Sequence, residues 1–312
     1  MDTTIAAETL RAWALDERAK AYVMSDPVLA DAARRIAARY VAGEDIGAAQ
    51  LAVQRAVSRG HSGSIEFAGE SVRDSAGAVT ATAVFVALAQ QVGANRIPST
   101  VSGDLSHIGL LVSSDLVRAN ALQIAQACEA VGTVFVLSAE GSDRTDAVLD
   151  AYEWLSARSS SVGITLQARL HRSTADLARL LDLPGRIRLV KGAFLETAAV
   201  ALDRDSGELA VRYQELAARI TAAEHGLTLA THDETLLRAS LQQVTNAAAI
   251  EVEMLMGLGD DLLDRLHTEG WTTREYCIFG DEWWLYVLNR MAESPERVFQ
   301  AITDLGPFAT HS

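Results

Sequence analysis

Cysteine is nearly absent: Cys128 and Cys277 are the only two in 312 residues, and they lie in different segments. Their spacing matches neither a disulfide framework nor a metal site, and both read as buried, inert thiols. Basic charge is also scarce, with 27 Lys and Arg against 41 Asp and Glu and a net charge of −14. No basic stripe interrupts that surplus, which argues against a nucleic-acid partner and reads as solubility. The amino terminus, MDTTIAAETLRAW, lacks a basic stretch followed by an apolar one, so no secretion signal is expected. No apolar run is read as approaching the ~20 residues of a membrane span. A cytoplasmic protein without an integral membrane segment is the expectation. Finally, no G-x-G-x-x-G follows the first strand candidate, and Gly257-Leu258-Gly259 lacks the third glycine, which weighs against a Rossmann fold.

What is present is a chain 49% hydrophobic and 22% charged, ordinary for a globular enzyme. The first sixty residues read as helices. Asp26-Pro27 is a helix-start signal, and Ala30, Ala33, Ile36, Ala37 and Tyr40 form an apolar stripe that Gly43 ends. A further helix is expected from about Gly47 to Ser58, stopping at Gly60. After Gly60, β-like runs alternate with helical stretches at a spacing of roughly thirty residues, as βα units do. The runs are SIEFAG (64–69), STVSGDLS (99–106), TVFVLSA (133–139), VGITLQARL (162–170), RIRLVKGAF (186–194), GLTLATHD (226–233), AAIEVEMLMG (248–257) and REYCIFG (274–280). Helices are expected over Asp115–Val131, Thr145–Ala157 and Glu208–Ala223 among others. The strands are apolar enough for burial on both faces. Eight such units predict an α/β fold, a TIM-like (β/α)8 barrel over 61–312 with the helical segment 1–60 packed on it.

In such barrels chemistry sits at the carboxyl ends of the strands. Those ends carry Glu70, Asp104, Ser106, His107, Gln167, Arg169, His171, Arg188, Lys191, Thr231, His232, Asp233, Glu253 and Tyr276, with Arg290 beyond the last strand. Taken singly they read as loop starts and helix caps. As a set, Arg188 and Lys191 with Thr231-His232-Asp233 point to a phosphorylated or anionic ligand.

Several of these segments resemble the proline dehydrogenase family. RLVKGAF (188–194) is similar to the family's R-L-V-K-G-A-Y strand, and ATHD (230–233) to A-T-H-N/D. GITLQARL (163–170) resembles the strand ending V-L-Q-x-Y-L, and IEVEMLMGL (250–258) resembles F-E-F-Q-M-L-Y-G. YCIFGDEWWLYVLNRMAESPE (276–296) resembles the closing segment of that family, in order and at the right spacing. The resemblance implies an FAD-dependent barrel that takes hydride from a carbon beside a ring nitrogen. It implies that Gln167, Arg188, Lys191, Gly192, Thr231 and His232 hold the flavin. Physically, Arg188 and Lys191 suit a pyrophosphate or the N1/N5 edge of an isoalloxazine, and Asp233 completes the run beside them. Gly192 and Ala193 leave room for a flat ring, and the Gln167 amide suits a pyrimidine edge.

The substrate side departs from the family. Its second-strand lysine aligns with Asp104 and its arginine pair with Asn289 and Arg290, so a local charge of +3 becomes zero. Each lost charge-assisted hydrogen bond costs about 1.5–3 kcal/mol. A like charge at 4–5 Å adds roughly 3–4 kcal/mol at an effective dielectric near 20. Ser138 or Ala139 stands where the family has an aspartate, and Glu253 where it has glutamine. The expectation is an oxidoreductase acting on a cyclic or secondary amine other than free proline. Asp104, Tyr276, Arg290, Glu253 and Asn289 would line its pocket, and a quinone, oxygen or a carrier protein would accept the electrons. Glu293 would orient Arg290 through an i, i+3 ion pair. The alternatives are a catalytically degenerate flavin-binding paralogue and a metal-dependent hydrolase built on His171, His232, Asp233 and Glu253.

Overall fold

A computed structural model of the protein describes residues 3–69, 71–244 and 250–305, without the side chains of residues 3, 4, 295 and 296. Glu70, one of the strand-end candidates, lies outside the described residues. Four helices precede the first strand: α1 (Thr3–Ala14), α2 (Glu17–Ser25), α3 (Pro27–Ala37) and α4 (Ile46–Ser58). Asp26 caps α3 by accepting from the backbone N–H groups of Val28 and Leu29, with Pro27 at the first helical position.

The barrel then runs β1 (Ser62–Phe67), α5 (Ser75–Ala94), β2 (Ser99–Gly103), α6 (Ser114–Ala130), β3 (Phe135–Leu137) and α7 (Thr145–Ser156). It continues β4 (Val162–Gln167), α8 (Ser173–Leu180), β5 (Arg186–Val190), α9 (Gly207–Ala222), β6 (Leu227–Ala230) and α10 (Glu234–Gln243). It closes with β7 (Ile250–Leu255), α11 (Asp260–Thr268), β8 (Thr272–Phe279), α12 (Trp284–Ala292) and α13 (Pro295–Leu305). All eight strands pair in parallel, and β8 returns to β1 in the register Ser64 to Tyr276 and Glu66 to Ile278. Every strand read from the sequence is present. Most stop two or three residues earlier than the apolar pattern, because the final residues leave the ladder to begin βα loops.

The two strand faces divide the chemistry. Ile65, Val101, Leu189 and Val252 join the main core beneath the helices. The alternating residues Ser64, Ser102, Arg188, Glu253 and Tyr276 are buried and polar, and they bond to one another across the barrel. One expectation about apolar runs needs correction. The 20-residue helix α5 has a mean hydropathy of 1.4 over its most apolar window, long and apolar enough by length and composition to cross a bilayer. Its glycines, threonines and glutamines break the run when the sequence is scanned. In the fold it is a barrel helix, packing Ala81, Phe85, Leu88 and Val92 into the core and lying against α6.

Candidate active site

A cleft of about 450 Å³ opens at the carboxyl ends of the strands. Of the residues expected to act, Asp104, Tyr276, Arg290, Glu253, Gln167, Arg188, Lys191, Gly192, Ala193, Thr231, His232 and Asp233 all line it. Asn289 does not. It sits one position before Arg290 on α12, one helical turn from both Tyr286 and Glu293. The lining residues of this segment are Tyr286, Arg290 and Glu293, with Arg297 of α13.

Arg188 is the centre of the floor. It is 5% exposed, and its guanidinium spans the barrel interior from β5. Nε lies 2.7 Å from Glu253 Oε1, a terminal nitrogen donates to Ser102 Oγ at 2.8 Å, and Cζ stands 4.8 Å over the Tyr276 ring. Neither a solvated strand end nor a rim cation free for pyrophosphate describes it. Lys191, at the rim, lies 3.5 Å from Asp233. Asp233 also caps α10 by accepting from the Leu236 N–H. Gly192 has φ +113°, and a Cβ there would meet Arg169 Cγ at 2.7 Å, so the turn is restricted to glycine on both grounds.

Burial pushes His232 down to about 4, and Arg297 and Arg290 add to the fall. The ring is thus neutral at pH 7, and Nε2 accepts the Leu255 N–H at 3.1 Å. That bond leaves the proton on Nδ1, making the other nitrogen a donor.

Two clusters were legible only in part: the expected Arg290–Glu293 pair is present at 2.8 Å, while Glu66, Arg204 and Arg297 had no part in the sequence reading. Glu66, at the end of β1, lines the cleft and accepts from Ser138 Oγ at 2.7 Å and from the Tyr276 hydroxyl. The alternation of Ser64 and Glu66 with Ile65 in SIEF could have shown it as an interior position. Arg204 and Arg297 also line the cleft and, with Arg290, surround Glu293 at 3.4, 2.8 and 2.8 Å. Burial works against the Glu293 anion, but Arg290, Arg297 and Arg204 together hold it below its ordinary range. Tyr286, Arg290, Glu293 and Arg297 share a helical spacing, which is a legible signal. Arg204, in the loop before α9, offers none.

Other strand-end residues have structural work. Arg169 donates to the carbonyls of Leu202 and Phe194, bracing the loop that carries Lys191 and Arg204. Ser106 donates its N–H to Glu140. His107 packs against the rings of Phe67 and Phe85. His171 is exposed and bonded to the Ala198 carbonyl, away from the cleft, while Glu253 is committed to Arg188. The four ligands of the metal-hydrolase alternative therefore do not converge, and no metal-holding cluster of His, Cys, Asp and Glu exists among the described residues. Both cysteines are buried, and burial pushes the Cys128 thiol up to about 12.

Three buried polar atoms on the cleft residues have no hydrogen-bond partner among the described residues: Gln167 Oε1, the Tyr286 hydroxyl and Arg290 Nε. Orphaned buried groups are rare, and three around one cleft mark a place for a polar ligand. An amide acceptor, a glycine turn, a rim lysine and a neutral imidazole donor together suit the ring edge and phosphates of a flavin nucleotide.

Comparison with known proteins agrees. The proline dehydrogenase family model matches residues 49–293. Proline dehydrogenase of Deinococcus radiodurans is 33% identical over 269 residues, covering 83% of this chain and 86% of that protein. Proline dehydrogenase 1 of Bacillus subtilis strain 168 is 28% identical over 268 residues, covering 83% and 87%. Among solved structures, proline utilization A from Bdellovibrio bacteriovorus, inactivated by N-propargylglycine, superposes on 99% of this chain with a TM-score of 0.81 at 16% identity. A mutant of proline utilization A from Bradyrhizobium japonicum covers 90% with a TM-score of 0.73 at 20% identity. This chain spans 38% and 33% of those two longer chains, and they speak to the fold alone. With the family model matching most of its length, the chain belongs to the proline dehydrogenase family, FAD-dependent dehydrogenases that act on a CH–NH group.

Proposed function

We propose that the protein oxidises the carbon beside nitrogen in a cyclic or secondary amine that lacks proline's free carboxylate. The observation that carries this reading is the charge of the cleft floor. Glu66 and Glu253 lie there with Arg188, which is paired with Glu253, and Asp104 lines the same cleft where the family has a lysine. Such a floor favours a cationic nitrogen and opposes a carboxylate.

In this reading Gln167, Arg188, Lys191, Gly192, Ala193, Thr231, His232 and Asp233 hold FAD, which when bound accepts the hydride. Gln167 offers its unpartnered amide oxygen to a ring N–H, and His232 offers its Nδ1–H to an acceptor. Lys191 supplies the rim charge. Tyr276 and Arg290 close the substrate pocket against water. The electrons then leave to a quinone, oxygen or a carrier protein, which reoxidation in air against reoxidation by a soluble quinone separates.

A second reading has its own support. The curated relatives are named for proline, and Arg204, Arg290 and Arg297 place three guanidiniums around the single carboxylate of Glu293. That surplus could receive a substrate carboxylate in place of the lost lysine and arginine. Anaerobic mixing of FAD-loaded protein with pyrrolidine, L-prolinamide and L-proline decides between them. Faster bleaching by the two amines without a carboxylate is the expected result. Rapid, saturating bleaching by L-proline overturns the substrate assignment. No bleaching by any of the three leaves the catalytically degenerate paralogue standing.

A further inference from the structure

The cleft floor holds two carboxylates in unlike surroundings. Glu253 is ion-paired to Arg188 at 2.7 Å and accepts the Ser64 hydroxyl at 2.6 Å. Glu66 meets hydroxyls alone: Ser138 and Tyr276 both donate to Oε2, and no Lys or Arg among the described residues lies within ion-pair distance of it. Its other charged and titratable neighbours are Arg188 from β5, Glu253 from β7, Tyr276 from β8 and Tyr286 from α12. Of two carboxylates in surroundings this unlike, the one held by hydroxyls alone is the one placed to exchange a proton. Burial raises the Glu66 carboxyl, Glu253 adds to the rise, and the two hydroxyl bonds and Arg188 only partly offset it.

We propose that Glu66 is the proton acceptor for the amine, aimed from the cleft floor by Tyr276 and Ser138. The proposal rests on the amine-oxidation reading above. A substrate arriving as an ammonium ion cannot release hydride until its nitrogen lone pair is free. The N–H bond breaks and its proton passes to Glu66. The lone pair then forms a C=N bond as the adjacent C–H bond breaks, its electron pair leaving as hydride to the flavin. The products are an iminium ion, a protonated Glu66 and a flavin reduced by two electrons.

The test is flavin reduction by pyrrolidine, followed anaerobically across pH in the FAD-loaded wild type, Glu66→Gln and Glu66→Asp. Removing a general base costs about 10²-fold or more at neutral pH. The loss in Glu66→Gln should shrink as pH rises, because free pyrrolidine needs no acceptor, and Glu66→Asp should fall between the two. A loss that is the same at every pH, or no loss, overturns the proposal. An arm without any amine separates it from the substrate reading. Infrared titration of the protein should reveal a carboxylic-acid band that disappears in Glu66→Gln and survives in Glu253→Gln. A band that disappears only in Glu253→Gln overturns the assignment. The Glu66 band in a protein that no amine reduces would instead sink the substrate reading and leave Glu66 as the proton-exchanging carboxyl.

Discussion

The two ends of the barrel bury polar groups in different arrangements. At the amino-terminal end of the strands, His61 is closed on both sides, with Nδ1 2.7 Å from Thr273 Oγ1 and Nε2 2.7 Å from Asp264. Beside it Arg59 pairs with Glu275 at 2.7 Å. Two buried atoms there, Arg59 Nε and Gln50 Nε2, make no hydrogen bond among the described residues, but other polar atoms of the same side chains are bonded to protein groups. At the carboxyl end, Gln167 Oε1, the Tyr286 hydroxyl and Arg290 Nε have no hydrogen-bond partner among the described residues, and all three belong to residues that line one cleft. Similar residue types thus serve two purposes. At the bottom the pairs hold the strand ends together, and at the mouth the open atoms gather where something polar can reach them.

Removing one partner from each end sharpens that contrast. Arg188→Met should have the largest effect, because it strands Glu253 and Glu66 as acids in the floor. Breaking a buried pair in this way costs about 3–5 kcal/mol, read by urea unfolding of the FAD-free protein, and FAD binding followed by fluorescence should collapse. Arg59→Met leaves Glu275 unpaired at the other end, where Arg59 is 32% exposed. The cost there should be nearer 1–3 kcal/mol, with FAD affinity unchanged. A comparable loss of FAD affinity in Arg59→Met would break the division between the two ends.

Much of this was legible in the sequence because it rests on periodicity. The eight apolar runs, the Asp26-Pro27 cap and the polar residues at strand ends are local patterns with local causes. The direction of a side chain across the barrel is not local. Arg188 reads as a strand-end cation in RIRLVKGAF, and only closure of the barrel shows that it reaches Ser102 and Glu253. Arg204 is invisible for the same reason, since a loop of sixteen residues between β5 and α9 brings it to Glu293.

Asp104 and Asn289 should answer a charge reversal differently. Asp104 lines the cleft and Asn289 does not. Asp104→Lys should therefore tighten binding of tetrahydrofuran-2-carboxylate, a proline mimic without the amine, by about 10-fold or more, the equivalent of one charge-assisted hydrogen bond. Asn289→Arg should add little, alone or in combination. Equilibrium titration of the three variants against the wild type is the check. An equal gain from Asn289→Arg would return that residue to the pocket.

Acid should reveal a further difference between the two ends. His232 at the mouth and His61 at the bottom both have their basicity lowered, chiefly by burial. For His232 the folded value is about 4, below the ordinary 6.5, so between those limits the unfolded chain binds the extra proton. Stability from this histidine is therefore fully present above pH 6.5 and is lost as pH falls toward 4, by at most about 3 kcal/mol. His61 acts in the same direction, with Asp264 opposing part of the shift. His232→Asn and His61→Asn should each flatten the fall of melting temperature with acid. The ends part company when FAD is present. Protonating His232 ends its acceptance of the Leu255 N–H and puts a second donor at a cleft that the cofactor shares. Saturating FAD should move the acid limb that His232→Asn removes and leave the one that His61→Asn removes where it was. Equal displacement of both limbs by FAD would mean that the cofactor stabilises the barrel as a whole, without the mouth having any separate part in it.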